Sequence, residues 1–579
     1  MPVQQISNSF VVEIDGQPLG DDLDLVGVTV NDHLRLPDAF ELRFRDSSRQ
    51  VLPKAGAKIG ASVKVSVLSD AAPSDQSLIS GEITAVEALV HGGTSFTIAR
   101  GYDESHRLTR GTTTESYQNM TFSDAARRVA DRNGLKVGTI DESSPTLTHI
   151  TQANEDDWSF LWRMANEIGY EVEVEDKALN FRRATEAEAP PPLGDLDTDD
   201  PLLLLLGSNL LYLRATVTAA EQVKEVQVRS WDPDSKKALV ATAATSTKAV
   251  DNSSSPAQLS ETFPGPRLVS GTIPFATSQQ VEAAASGLAE AVAASYAELE
   301  GEARGSAKLA AGAAVRVGLV GDPFDGTYVL TSTTHRYNAE EGYVTTFVIS
   351  GRQERSLFDL TNASGPVGES QVLGVVPALV DDVDDPKGQC RVRVRFPWLD
   401  DTFVSDWSRV AQPGAGKDRG FVILPEVDDE VLVAFEHGDP RRPFVVGGLY
   451  NGQDTPNTGP GDFLDGSTRA VNNRLFTSRL GHQMVFIDAD EKSGVVLTSG
   501  DAKLEIRLDQ ANQKIVIRSG GDLEISADGD IKMNAQGSIT ANAQRVSVEA
   551  ENDFGAKGSQ VTIQGSGPVQ IQGQPIELN

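Results

Sequence analysis

Short aliphatic pairs recur along residues 515–579 at steps of seven or eight residues. In most pairs two apolar residues flank one polar residue, which is the alternation of a β-strand with one buried face. Glycines between the pairs let the chain turn sharply. The pattern therefore predicts a β-helix of stacked octads. The paired residues are Ile515, Ile517, Leu523, Ile525, Ile531, Met533, Ile539, Ala541, Val546, Val548, Val561, Ile563, Val569, Ile571, Ile576 and Leu578, with Phe554 and Ala556 filling the one gap.

The octads also predict how the chain assembles. Each octad supplies only two apolar side chains, whereas a β-helix that encloses its own core usually needs turns of about twenty residues. We therefore expect three chains to interwind around a common needle core. The core residues are Ile515, Ile517, Leu523, Ile525, Ile531, Met533, Ile539, Val546, Val548, Val561, Ile563, Val569 and Ile571. At ~4.8 Å per strand layer, about ten layers give a rod of roughly 45–50 Å. A single-chain β-solenoid or a set of hairpins is the alternative.

The rest of the chain is also dominated by short alternating strands, so the predicted fold class is mainly β with a few helices. A Pro- and Gly-rich connector precedes the repeats. The predicted parts are a first β-barrel (1–118), a helical or αβ insertion (119–185), a second barrel with a long helix (186–365), a β-rich neck (371–452), the connector (453–482) and the octad-repeat β-helix (483–579).

Three helices are predicted from apolar periodicity and end signals. The first begins with Thr121 as its N-cap and stops at Gly134. The second begins at Asn154, where three acidic residues follow, and stops at Gly169. The third covers about 277–300.

Charge and cysteine content limit the possible functions. The formal net charge of −32 argues against nucleic acid or an anionic membrane as a stable partner. The single cysteine, Cys390, excludes an intrachain disulfide. The first residues do not form a signal peptide, and the longest apolar run, 202–206, is too short to span a membrane. We expect synthesis and assembly in the cytoplasm.

Several neck motifs resemble a known family. They lie at 388–398 (GQCRVRVRFPW), 405–413 (SDWSRVAQP), 425–433 (PEVDDEVLV) and 438–451. In this order they resemble the OB-fold neck of VgrG-type spikes of type VI secretion, phage tails and extracellular contractile injection systems. The Phe-Pro-Trp-Leu variant is closer to the last two. Residues 154–170 and 231–233 resemble the phage late-control-D hub. The residues that carry the neck motif are Phe396, Pro397, Trp398, Trp407, Pro425, Gly438, Asp439 and Pro440.

The resemblance implies a structural role. It implies a homotrimeric hub and spike at the centre of a baseplate, which docks the inner tube and pierces a target envelope, touching the target membrane only during puncture. The family closes its needle with a small PAAR-type tip protein, so we expect the last five residues to dock one: Pro575, Ile576, Glu577, Leu578 and Asn579. Effector cargo is a further candidate partner. The particle is phage tail-like and can be released from the cell.

No catalytic, metal or cofactor site is predicted. Residues 414–417 resemble a phosphate loop, but Ala411 replaces its first glycine and Asp418 its Ser/Thr. The seven histidines lack zinc spacing, and the connector after Asn451 leaves no room for a lysozyme domain. Two alternatives stay open: an enzyme-bearing lytic spike that cleaves glycans, and a trimeric receptor-binding fibre.

Overall fold

The alternating pattern does produce strands, and the computed structural model confirms a fold that is mainly β with a few helices. The structure describes residues 8–69, 76–183, 186–187, 200–263, 267–271, 273–338, 342–351 and 372–577. The chain divides into two compact units, Met1–Thr455 and Pro456–Asn579. The boundary between them lies close to the predicted end of the neck.

The hub region occupies the described residues up to 351 and is built mainly of strands. In chain order they are β1 Asn8–Ile14, β2 Gln17–Pro18, β3 Asp24–His33, β4 Ala39–Arg45, β5 Ser62–Ser69, β6 Gln76–His91, β7 Thr94–Tyr102, β8 Thr113–Met120, β9 Lys136–Ile140, β10 Leu147–Glu155, β11 Tyr170–Glu175, β12 Ala178–Arg183, β13 Leu203–Leu205, β14 Leu210–Val217, β15 Glu225–Asp232, β16 Lys237–Ala244, β17 Val250–Asn252, β18 Leu268–Ser270, β19 Ala297–Arg304, β20 Ala314–Gly318, β21 Gly326–Val329, β22 Ser332–Asn338 and β23 Gly342–Ile349.

Eleven of these strands form one antiparallel sheet, in the order β14-β19-β23-β22-β3-β4-β7-β6-β5-β1-β2. The pairing of β22 with β3 joins strands of the second predicted barrel to strands of the first. Phe10 on β1 stacks on Tyr337 of β22 with 4.9 Å between ring centroids, so the sheet curls over its own core. Local alternation predicts each strand but not this long-range pairing, which is why the sequence suggested two separate barrels.

The described helices are α1 Val51–Ala55, α2 Phe122–Arg132, α3 Asp157–Ile168, α4 Pro256–Thr262 and α5 Ser278–Ala294. The predicted start of α2 is confirmed, because Thr121 and Asp124 form a capping box. The predicted start of α3 at Asn154 is wrong. Asp156 is the N-cap and accepts from the Ser159 backbone N–H at 2.9 Å, while the preceding residues belong to β10.

The prediction of one helix over 277–300 is also wrong at its end. The helix α5 stops at Ala294, and the chain continues as β19 with every second residue buried. A Cβ on Gly301 of this strand would lie 2.3 Å from the ring of Phe347 on the paired strand β23. The small residue therefore admits the ring, and pairing in the sheet overrides the helical propensity of this alanine- and glutamate-rich stretch.

The neck is a closed barrel of β24 Val375–Asp382, β25 Arg391–Arg395, β26 Ser408–Val410, β29 Glu430–Phe435 and β30 Pro443–Gly448, with a small hairpin of β27 Ala415–Gly416 and β28 Arg419–Gly420. Five strands closed in this way match the architecture of an OB-fold. Inward-facing apolar residues alternate along β25 and β29. The buried core is Ala378, Val380, Val392, Val394, Phe396, Phe403, Val431, Val433 and Val445.

The second unit begins with an antiparallel meander. Its strands are β31 Asn473–Thr477, β32 Gln483–Ile487, β33 Gly494–Thr498, β34 Leu504–Asp509 and β35 Lys514–Ser519, paired in chain order. The predicted boundary at residue 483 thus falls inside one sheet, since β31 lies in the predicted connector. Ile515 and Ile517 belong to this sheet and not to an octad layer. Among the described residues, no strand follows β35.

Candidate functional site: neck barrel, hub–neck junction and C-terminal segment

Phe396 is the centre of the neck motif. Its ring is fully buried and lies 6.0 Å from Phe403, 5.7 Å from Phe435 and 6.0 Å from Trp398, measured between centroids. The Trp398 side chain is half exposed and donates its Nε1–H to the Pro377 carbonyl at 2.9 Å. This motif therefore closes one end of the barrel core with aromatic rings and ties the strand end to β24.

Three further motif residues, Trp407, Pro397 and Pro425, lie on the barrel surface. Trp407, just before β26, packs beneath the guanidinium groups of Arg391 and Arg393, which lie 5.8 and 4.9 Å from its ring centroid. Pro397 is exposed and Pro425 is partly buried. These contacts stabilise the outside of the barrel through cation–π attraction, and they do not converge on a pocket.

The motif Gly438-Asp439-Pro440 shapes a turn that presents Arg441. Gly438 is buried with φ +80°, a conformation that favours glycine. The Asp439 carboxylate accepts from the Arg441 backbone N–H at 2.9 Å, from Nε at 3.0 Å and from Nη2 at 2.7 Å. The turn therefore holds the guanidinium in one orientation.

Arg441 connects this turn to the hub. Its Nη1 donates to both carboxylate oxygens of Glu167 on α3, at 2.9 and 3.2 Å. Glu167 also lies 3.9 Å from Arg163, one turn earlier on the helix. Arg163 in turn donates to Glu155 at 2.8 Å and to the Thr151 carbonyl at 3.0 Å. Two guanidinium groups and three carboxylates thus form one network at the hub–neck junction.

Burial makes this network depend on its pairing. The side chains of Arg441 and Glu167 are 16% and 7% exposed. Burial alone lowers the pKa of Arg441, but the carboxylates of Asp439 and Glu167 outweigh burial, so its pKa is raised. Burial raises the pKa of Asp439, and Arg441 more than reverses this, so the net direction is down. Arg441 and Asp439 thus hold each other in their charged forms.

A second contact of the junction involves His149 on β10. Its Nε2 lies 3.2 Å from the Val404 carbonyl of the neck, and the same carbonyl accepts from the Ser116 hydroxyl at 3.1 Å. The imidazole packs edge-on to Phe403 at 6.4 Å. Burial lowers the pKa of His149, which favours the neutral ring.

A third contact lies at the tip of the β15–β16 hairpin, directly after the Trp231-Asp232-Pro233 motif. Asp234 accepts from Lys387 Nζ at 2.6 Å and from Gln389 Nε2 at 2.8 Å, both on the neck. These hydrogen bonds lower the pKa of Asp234. About half of the Asp234 and Lys387 side chains is exposed, so this pair is screened by solvent.

In the second unit, the meander exposes one apolar face. Phe476, Met484, Leu497, Ile506 and Ile517 lie directly opposite one another across the five strands. A second row on this face contains Phe486, Val495, Leu508 and Ile515, with Leu504 beside it. Nine of these ten side chains are at least 40% exposed. On the opposite face Val485 and Val496 are buried.

The segment 521–577 is exposed along its whole length. Its apolar pairs, among them Ile531 and Val561, are 52–72% exposed from Leu523 to Ile571. No backbone–backbone hydrogen bond is formed by these residues in the structure. The tip residues Pro575, Ile576 and Glu577 are exposed as well, while Leu578 and Asn579 lie outside the described residues. The backbone of these residues therefore pairs with no strand of its own chain, and their apolar side chains are left in contact with solvent.

Within the described parts of the chain, no group of three or more His, Cys, Asp and Glu side chains is placed to hold a metal ion. In the same residues, no helix is both long and apolar enough to cross a membrane.

Two known protein families match the sequence of this chain. The family described as the type VI secretion system/phage-baseplate injector OB domain matches residues 376–450, which is the neck barrel. The family described as the Alg8 N-terminal domain matches residues 6–339, more than half of the chain and nearly all of the hub. The chain belongs to the Alg8 N-terminal domain family. The match of the injector OB domain to the neck, together with the matches below, confirms the recognition of a VgrG-type hub-and-spike protein.

Relatives of this Alg8-family chain are similar over short regions. The spike protein VgrG3 of Vibrio cholerae is 31% identical over 172 residues, covering 26% of this chain and 16% of the relative. The actin cross-linking toxin VgrG1 of Vibrio cholerae is 30% identical over 118 residues, covering 17% of this chain and 10% of the relative. The matches thus span less than a fifth of the length of these two relatives.

A solved structure extends the likeness in fold. The Francisella PdpA–VgrG complex, in its lidded form, aligns with a TM-score of 0.51 at 9% identity and covers 89% of this Alg8-family chain and 80% of that chain. At such low identity the likeness concerns the fold.

The sequence located the neck motif but missed the network behind it. Asp439 was selected as part of a motif, whereas Arg441 and Glu167 were not selected at all. They are 274 residues apart, so no local pattern connects them. One signal was present: a charged residue, Glu167, interrupts the buried stretch of α3 just before the Gly169 cap, where an apolar residue would be expected.

Proposed function

We propose that this protein is the homotrimeric hub and spike of a contractile injection system, in which segment 521–577 forms an interwound needle. The observation that carries the proposal is the state of this segment in a single chain. Its backbone pairs with no other strand of the chain and its apolar pairs are exposed, although short strands are stable only when they pair and cover an apolar face. Two further copies of the same chain would supply these partners in register.

The alternative, a single-chain solenoid, predicts a different pattern of backbone hydrogen bonds. In a solenoid, each turn of the chain hydrogen-bonds to the next turn of the same chain. Residues 521–577 form no such bonds in the structure. The alternation of apolar and polar residues, by contrast, suits a three-sided prism in which each chain contributes one strand per layer and the apolar side chains meet at the axis.

The apolar face of the β31–β35 sheet supports the same stoichiometry. Ten aliphatic and aromatic side chains on one face exceed the contiguous apolar patch that soluble monomers usually expose. Three such sheets, packed face inward, would enclose a core at the start of the needle and leave Val485 and Val496 on the outer side, where their own chain already buries them. The partner we assign to this face is a second and third copy of the chain.

In this proposal the hub docks the inner tube and the needle pierces the target envelope. The matched families, one of them an injector domain of type VI systems and phage baseplates, support the assignment to a baseplate. A PAAR-like protein on Pro575, Ile576 and Glu577, together with Leu578 and Asn579, would cover the last open strand layer. Assembly in the cytoplasm as part of a phage tail-like particle, with effector cargo, completes the proposal.

The role that we propose is mechanical and not catalytic. The neck motif residues build a barrel and a junction: Trp398 donates to the Pro377 carbonyl, and Asp439 accepts from Arg441. One relative is named as an actin cross-linking toxin, but the match covers only 10% of it. A zone of clearing on peptidoglycan produced by the purified protein would overturn this part and support the lytic-spike alternative.

The deciding experiment is the mass of the purified protein in solution, measured by light scattering. We expect a species of three times 61.8 kDa that persists in mild detergent. A monomer that remains soluble and folded at micromolar concentration would contradict the interwound needle. It would return the octads to the single-chain alternative, because exposed pairs would then have found partners within their own chain.

A further inference from the structure

We propose that Arg441 locks the neck onto the hub, so that the two parts unfold locally and move together as one body. The guanidinium belongs to the neck, and its partner Glu167 belongs to hub helix α3. The lock itself follows from the geometry of the junction. Its mechanical meaning, that load passes between hub and needle without rotation of the neck, rests on the proposed function.

The guanidinium is oriented before it reaches the hub. Asp439 engages the backbone N–H, Nε and Nη2 of Arg441, which leaves Nη1 directed at Glu167. Nη1 then bridges both oxygens of Glu167. Because Nε, Nη1 and Nη2 all donate to these two carboxylates, the arginine acts as a fixed connector, which a flexible lysine with a point charge does not reproduce.

Glu167 is anchored equally firmly on the hub side. It sits one helical turn after Arg163, whose own donors reach Glu155 and the Thr151 carbonyl of β10. The connection therefore runs from the neck turn through α3 to a hub strand. With Arg441 removed, Glu167 and Asp439 would remain buried without their main counter-charge, which is the situation in which a buried ion pair costs most.

The other two junction contacts are weaker by the same criteria. His149 and Ser116 make neutral hydrogen bonds to one carbonyl, Val404 O. The pair of Asp234 and Lys387 is about half exposed, and exposed ion pairs contribute little. Arg441 is therefore the positioning residue on which the attachment of the neck mainly depends.

Hydrogen exchange of the purified full-length protein tests the lock locally. In Arg441→Met we expect amides of the neck strands β29 and β30 and of helix α3 to exchange on the order of tenfold or more faster, while those of β3 and β4 stay unchanged. The matched control is Arg442→Met, because Arg442 pairs with Glu436 inside the neck at 3.3 Å. It should leave exchange in α3 as in the wild type.

Two further variants separate charge pairing from packing. Glu167→Gln keeps the shape of the side chain and should accelerate exchange in the neck less than Arg441→Met does; it also serves if the arginine variant fails to fold. The double variant Arg441→Met/Glu167→Met also removes the charge that Glu167 leaves unpaired in Arg441→Met, while Asp439 stays buried without Arg441, so it should recover part of the protection.

Two results would overturn the lock: unchanged exchange in the neck of both Arg441→Met and Glu167→Gln, or a double variant as unprotected as the single one. The mass of each variant is measured alongside. We expect it to equal that of the wild type, since the junction lies within one chain. A monomeric wild type with an intact lock would defeat the proposed spike and leave this inference standing.

Discussion

The first unit and segment 521–577 differ in where their strands and side chains find contacts. In the first unit, strands pair within the chain, and even the buried charges of Arg163, Glu167 and Arg441 find partners. In the segment, as the structure describes it, the backbone pairs with no other strand and the apolar side chains stay exposed. Both regions obey the same alternation of apolar and polar residues. The difference is that the first unit closes its sheets with distant parts of its own sequence, whereas each octad is too short to do so.

The difference between the two regions indicates which contacts stabilise each of them. The hub and neck are stabilised by contacts between residues of the same chain that are far apart in sequence. The segment gains order only by association, so its stability depends on protein concentration and on the identity of its partners. A change in the segment should therefore act on assembly, while a change in the first unit should act on unfolding.

The largest expected effect is the loss of the trimer in Ile531→Asp. The variant would bring three carboxylates together around one axis in a dry core, at a cost of several kcal/mol for each buried charge. Light scattering should show monomer or aggregate in place of a species three times the chain mass. The neighbouring variant Lys532→Glu is the control, because Lys532 is 76% exposed in the single chain and alternation places it on the outside. A normal trimer in Ile531→Asp would refute the interwound needle.

The next largest effect is expected in the first unit and concerns folding instead of assembly. Phe396→Ala removes the fully buried ring at the centre of the neck core. We expect the free energy of unfolding of the neck to fall by about 3–5 kcal/mol, measured by urea titration, with the trimer mass unchanged. Lys417→Ala, at an exposed position of the same barrel, should change it by less than about 0.5 kcal/mol. A loss of trimer in Phe396→Ala, with the barrel intact, would break the separation between folding and assembly.

The sequence predicted the parts of the molecule that depend on local alternation. The closed neck barrel, the capping box at Thr121 and the C-cap at Gly169 follow from patterns of a few residues. It did not predict the pairing of β22 with β3, the strand β19 after Ala294, or the ion pair of Arg441 with Glu167. These depend on which distant segments meet, and a single sequence carries no local signal for that.

A smaller effect concerns pH and the hub. Burial raises the pKa of Asp32 to about 6 and that of Asp103 to about 7. Burial also raises the pKa of Asp38, whose carbonyl accepts from the Asp103 N–H at 2.9 Å. Since these carboxyl groups keep protons in the fold that the unfolded chain has released, they favour the fold at low pH. Their contribution is lost progressively as pH rises from about 4, the pKa of aspartate in the unfolded chain, and the loss is complete at about 6 to 7.

The measurement is the melting temperature of the hub between pH 5 and pH 8. Asp103→Asn should reduce the fall in stability over this range relative to the wild type. Asp401→Asn, at an exposed position of the neck, should leave the slope as it is. If Asp103→Asn has the same slope as the wild type, the cluster does not hold protons in this range.

The smallest expected effect is at the start of α2. The Thr121 hydroxyl accepts from the Asp124 backbone N–H at 3.1 Å, and the Asp124 carboxylate accepts from the Thr121 N–H at 3.0 Å. Thr121→Ala removes the first of these bonds and should lower the free energy of unfolding of the hub by about 1 kcal/mol. Thr121→Ser keeps the hydroxyl and should recover most of this loss in the same urea titration. Equal losses in both variants would show that the methyl group, and not the cap, matters here. In either variant the trimer should be unaffected, because this helix is satisfied by its own chain.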